Sequence, residues 1–90
     1  MSGANLKDIA EWFQRGLNQK AAYLIVVCDT FEHDDYPVYV SSTDAFYEKY
    51  DPLDNKNMQR IMEVYDLKLP WSQQSQGRTW NMPPRPEPTK

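Results

Sequence analysis

Cys28, Asp29, His33, Asp34 and Asp35 fall within the eight residues of "CDTFEHDD". Together they carry the ligand types that zinc accepts and the thiol–imidazole pair of an activated cysteine nucleophile. Their spacing argues against both. The chain holds no second cysteine or histidine, and structural zinc sites use mostly thiolate and imidazole. Calcium would want an alternating acidic loop with a glycine, which is absent here. Cys28 and His33 are five residues apart across a hairpin end, a spacing that allows contact. Yet Cys28 shares a strand face with Leu24 and Val26, where a thiol ordinarily behaves as a small, inert apolar group. Asp29, Asp34 and Asp35 could supply paired carboxylates for acid–base work, but nothing in the sequence marks a pocket around them. Gly3, Gly16 and Gly77 are isolated, so no glycine-rich loop stands ready for phosphate. An acidic, solvated hairpin tip accounts best for "EHDD", because Asp tolerates turn backbone angles. No metal, no cofactor and no catalytic residue is expected, and the chain reads as a non-enzyme.

The elements that would position these residues follow from patterning. "NLKDIAEWFQRGL" predicts an N-terminal helix with Asn5 as N-cap and Asp8 in the capping-box position. Leu6, Ile9, Ala10, Phe13 and Leu17 share its apolar face, and Trp12 lies at the edge of that stripe. Gly16 is expected at the left-handed C′ position, followed by Leu17 as C″. Ala22–Phe31 predicts a strand apolar on both faces, with Tyr23, Ile25 and Val27 pointing one way and Leu24, Val26 and Cys28 the other. Such a strand is normally covered on both sides. Tyr36–Ser41 predicts its hairpin partner, and Pro37 places that partner at a sheet edge. "SSTDAFYEKY" predicts a short helix with Ser41 and Asp44 as a capping box and Ala45, Phe46 and Tyr50 inside. Met58, Ile61, Met62, Tyr65 and Leu69 repeat at helical spacing and predict a longer helix, capped by Asp54 and ended by Pro70. The fold class expected is therefore α+β: an N-terminal helix, a β-hairpin, two further helices and an extended Pro-rich C-terminal tail.

Residues 1–70 read as a single small domain and 71–90 as a tail. The tail is polar, glutamine-rich and then proline-rich, a composition that is usually mobile. Trp71, Trp80 and Met82 are costly to leave in water, which points to docking of "RTWNM" through Trp80, with an added strand as one way to do it. "PPRPEP" has the PxxP spacing of a polyproline II ligand, but the flanking positions expected to be basic hold Trp80 and Pro88, so a plain extended segment is the better account.

The 90-residue chain carries a net charge of −3 with both signs interspersed. Nucleic-acid binding needs a basic patch, so direct contact with nucleic acid is not expected. A single cysteine excludes an internal disulfide framework. "MSGANLKDIAEWF" has neither the basic n-region nor the apolar h-region of a signal peptide, and no apolar run reaches membrane-spanning length. A soluble, cytoplasmic protein that avoids membranes is the expectation. The 3 Trp, 6 Tyr and 3 Phe are many for this length, and Trp and Tyr favour contact surfaces as well as cores.

"YLIVVCDTFEHDDYPVYV" and "NMQRIMEVYDL", with "EWFQRG" upstream, resemble a group of small uncharacterised proteins encoded in bacterial and phage genomes. The resemblance covers residues 11–67. It carries no activity and no catalytic residue across. It implies a small acidic accessory protein of the kind that works by binding and blocking a host protein, defence nucleases included.

The functional expectation is a non-enzymatic protein-binding module, an accessory protein or inhibitor of host machinery, with another protein, or a host complex, as partner and homo-oligomerisation as an option. Trp12, Glu32, His33, Asp34, Asp35, Tyr36, Tyr39, Trp71 and Trp80 are the candidate partner-binding residues. Two alternatives stand beside it. One is an oligomeric small-ligand binder, such as a nucleotide sponge, with Arg60, Arg78 and Lys56 on the phosphates. The other is a metal or hydrolytic site on Cys28, Asp29 and His33. Oligomerisation has its own argument. The second strand is shorter than the first, whose far edge would stay open, and a long apolar edge invites pairing.

Overall fold

The computed structural model describes residues 5–55, 58–74 and 79–84. Its elements confirm the α+β class: α1 (Leu6–Asn18), β1 (Tyr23–Asp29), β2 (Asp34–Val40), α2 (Phe46–Tyr50), a 3-10 turn (Asp51–Leu53), β3 (Gln59–Asp66) and α3 (Trp71–Gln74). The strands form one antiparallel sheet in the order β2-β1-β3. β1 is the central strand, and Pro37 lies on the edge strand β2, as its missing N–H requires.

The two apolar faces of β1 are both covered. Tyr23, Ile25 and Val27 join Val40, Ile61 and Val64 beneath Phe46 and Tyr50 of α2. Leu24 and Val26 join Tyr65 and Leu67 beneath Ile9 and Phe13 of α1. Aromatic rings form the bulk of each layer. Phe46 packs on Tyr23, Tyr47 and Tyr50 with centroids 5.0, 4.8 and 5.4 Å away. On the other face Trp71 stacks on Tyr65 at 5.6 Å and tilts against Phe13 at 5.2 Å. Most of the aromatic excess is thus core.

The helix expected over 54–69 is a strand, β3, and the cause is a β-bulge. Val26 pairs with Glu63 and Val27 with Ile61, so Met62 is an extra residue in the ladder. An ordinary strand returns to one face every second residue, and a bulge makes that interval three. Ile61 and Val64 therefore share one face, and Met62 and Tyr65 the other. A bulged strand has imitated the i, i+3 repeat of a helix. Asp54 follows the 3-10 turn instead of capping a helix, and Pro70 precedes α3.

Three local expectations change as well. Gly16 lies inside α1, buried, where an added Cβ would come 2.8 Å from Leu67 Cδ1 and 3.0 Å from the Tyr39 ring. It is there for close helix–sheet approach. The left-handed C′ residue is Lys20 (φ 60°). Its N–H donates to Leu17 O, and that of Ala21 donates to Gly16 O, which completes a Schellman motif. Leu6 is exposed, outside the packed face. At α2 the capping box gives way to a turn, in which Ser42 Oγ accepts from Ala45 N–H and Thr43 O from Phe46 N–H. The capping box of α1 forms as expected: Asp8 N–H donates to Asn5 Oδ1 at 2.9 Å.

The segment beyond α3 lies along the outer edge of β3. Val64 N–H donates to Thr79 O at 2.8 Å and Asn81 N–H to Val64 O at 3.0 Å, a parallel bridge between Val64 and Trp80. "RTWNM" therefore docks as an added strand over its described residues, on β3 instead of β1. The open edge expected on β1 is filled by β3 itself, so that reason for self-association falls away.

Candidate functional site

The hairpin tip is built by Asp29. Its Oδ1 accepts from Phe31 N–H at 2.9 Å and Glu32 N–H at 3.3 Å, and its carbonyl accepts from His33 N–H at 2.6 Å. His33 takes a left-handed conformation, φ 61°, to bring the chain back into β2. A second segment is tied to this turn. Thr30 donates to Met58 O twice, from its N–H at 2.7 Å and its hydroxyl at 2.9 Å. Met58 also has positive φ, 61°, an uncommon state for a bulky residue. Phe31 is 70% exposed and Met58 63%. Two large apolar side chains therefore stand in water on neighbouring backbone, with Glu32, His33 and Asp34 exposed beside them.

The expected chemistry of this region does not assemble. Cys28 and Asp29 are consecutive strand residues and face opposite sides of the sheet. Asp29 is engaged in holding the turn. Cys28 sits between Asp35 and Arg60 in the ladder, half-buried near the end of its strand. It is more open than its apolar neighbours imply. Burial pushes its thiol pKa up, a hydrogen bond and the charge of Asp35 add to this, and Arg60 opposes it. The thiol stays protonated at neutral pH and is a poor nucleophile. Among the described residues, no group of three or more His, Cys, Asp and Glu side chains is placed to hold a metal ion. Of the proposed phosphate contacts, Arg60 is exposed on β3 with its guanidinium 3.7 Å from Met62 Sδ. Lys56 and Arg78 lie outside the described residues.

The candidate contact residues fall into separate groups. Glu32, His33, Asp34, Asp35 and Tyr36 belong to the tip and the start of β2, with Asp35 and Tyr36 half-buried. The Tyr36 hydroxyl accepts from Gln59 Nε2 at 2.5 Å. Trp12 and Tyr39 meet on the β2 side of α1, where the Tyr39 hydroxyl donates to Trp12 O at 2.9 Å. Trp71 lies on the β3 side of α1 as part of the packed aromatic layer. Trp80, 46% exposed, sits on the outermost strand position.

Sequence reasoning passed over Phe31 and Met58, the first as a strand end and the second as a helix core residue. It also passed over an apolar groove of about 520 Å³ between α1 and the chain after β3, lined by Phe13, Leu17, Leu67, Leu69, Pro70 and Trp71. No helix among the described residues is long and apolar enough to cross a membrane. No protein-family model, curated protein or solved structure matches the chain.

Proposed function

We propose that the chain is a non-enzymatic module that binds another protein, and that the hairpin tip is its contact surface. The exposure of Phe31, on a turn held by Asp29, and of Met58, tied to that turn through Thr30, carries this reading. Aromatic side chains that fill a partner's pocket dominate interface energetics. A turn already fixed by hydrogen bonds spares the cost of ordering it on binding. Among the described residues, the flanking carboxylates of Glu32 and Asp34, with Asp29 and Asp35 behind them, outnumber Arg60. The partner is accordingly a protein with an apolar socket in a basic surround. Such charge complementarity speeds encounter and selects the partner. Occupying a basic surface also blocks it, which agrees with an accessory protein or an inhibitor of host machinery.

The test compares wild type with Phe31→Ser, and with a Glu32→Gln/Asp34→Asn variant, against proteins retained from bacterial lysate and then purified. Phe31→Ser is expected to speed dissociation and abolish retention while the melting temperature stays unchanged. The charge variant is expected to slow association and flatten its salt dependence. A purified partner that binds both variants as it binds wild type overturns the proposal.

A further inference from the structure

The outer edge of β3 is closed by two different devices. At Val64 the closure is a normal parallel rung, made by Thr79 O and Asn81 N–H. The next outward-facing residue is Asp66. A continuing parallel strand would accept from Asp66 N–H at residue 81 and donate to Asp66 O from residue 83. Residue 83 is proline and has no N–H. The side-chain amide of Gln74 takes its place. Its Oε1 accepts from Asp66 N–H at 2.8 Å and its Nε2 donates to Asp66 O at 2.8 Å. Gln74 is only 2% exposed, and Asn81 Nδ2 donates to the same Oε1 at 2.8 Å. A buried amide side chain is acting as a peptide group. Further along, Met82 packs on the α2-side core, and Pro83 O accepts from the Tyr47 hydroxyl at 2.7 Å.

The chain's own segment is therefore a short occupant of a longer edge. It makes one rung, cannot make the second, and leaves Trp80 at 46% exposure. We propose that the outer edge of β3 is a strand-acceptor site and that residues 79–84 are a displaceable strap over it. The occupant that displaces the strap is an extended peptide segment of a partner protein. It runs parallel to β3, with an apolar residue in the place of Met82 and a residue bearing an N–H in the place of Pro83. Such a segment pairs with both Val64 and Asp66. This inference does not depend on the hairpin tip.

The test uses the full chain and two blocked peptides, TWNMVV and TWNMPP, with amide exchange followed residue by residue. TWNMVV is expected to bind saturably and tighter than TWNMPP, since only it has an N–H after the methionine to take over Asp66 O from Gln74. On binding, the chain's own Asn81 amide loses protection while Val64 keeps it. Gln74→Ala, which removes the competing amide, is expected to raise the affinity for TWNMVV. Should that variant fail to fold, the wild-type measurement decides alone. Absence of saturable binding, equal affinity for the two peptides, or binding that leaves the Asn81 amide protected overturns the proposal. So does a dimer in which a second copy's strap occupies the edge and peptide has no effect.

Discussion

Tyr65 is fully buried and donates its hydroxyl hydrogen to Glu63 Oε1. Burial raises its pKa well above the ordinary 10.0, and Glu63 raises it further. The sign of the linkage follows. The folded state holds this proton more tightly than the unfolded chain, so the contribution is fully present below pH 10 and is lost as pH rises beyond it. Tyr36 and Tyr39 are raised in the same direction by burial and add to the slope. Stability of the wild type is expected to fall above pH 10, more steeply than that of Tyr65→Phe. Thermal melts of the two proteins across the alkaline range check this, and parallel slopes would contradict it. The same residue shows why its role was hard to read in advance. In sequence, Tyr65 is one more apolar position at helical spacing. Its partner Glu63, two residues away, lies on the same face only in a strand.

At the scale of elements, the contact that joins α1 to the sheet runs through Gly16. Gly16→Ala gains about 0.8–1 kcal/mol of helix propensity. Against this, the new methyl group meets Leu67 Cδ1 at 2.8 Å and the Tyr39 ring at 3.0 Å. Leu67 is buried, and Tyr39 is anchored to Trp12 O, so neither moves freely. Overpacking typically costs about 1–3 kcal/mol. The expected net result is a loss of about 1 kcal/mol, read by denaturant unfolding; an increase in stability would mean that Leu67 and Tyr39 yield easily. The first helix, its cap and the hairpin were legible because each is specified by local signals: Asn5 with Asp8, and a β-branched run followed by turn residues. β3 was not legible, since its bulge at Met62 turns a period of two into an apparent period of three to four.

For the whole molecule, the order of the strands sets a gradient of stability. β1 is central and buried on both faces, whereas the tip stands at the exposed end of the hairpin and residues 79–84 lie at the outer edge of the sheet. Amides of Ile25 and Val27 are expected to exchange only through global unfolding. Those of Phe31, Glu32 and Asn81 are expected to exchange through local opening at far lower cost. Hydrogen exchange over a range of denaturant concentrations checks this, and a single shared opening energy for all five would refute it.

The sequence by itself determined the class of the fold, the capped first helix, the hairpin with Pro37 at an edge, and the need to cover β1 on both faces. These rest on side-chain period, caps and turn chemistry, which act over a few residues. The cost of leaving a tryptophan in water suggested docking through Trp80, but the segment is held by the backbone of Thr79 and Asn81, and Trp80 stays 46% exposed. Only the tertiary structure decided what fills each long-range demand. β1 needed a neighbour, and the strand that could supply one required a bulge that disguised its period. Asp66 needed a hydrogen-bond partner, and the side-chain amide of Gln74, eight residues on, supplies it. Phe31 and Met58 come to neighbouring backbone because Thr30 binds Met58 O across a separation of twenty-eight residues. Such pairings are set by which backbone groups remain unsatisfied after the local elements have formed, and no local pattern records them.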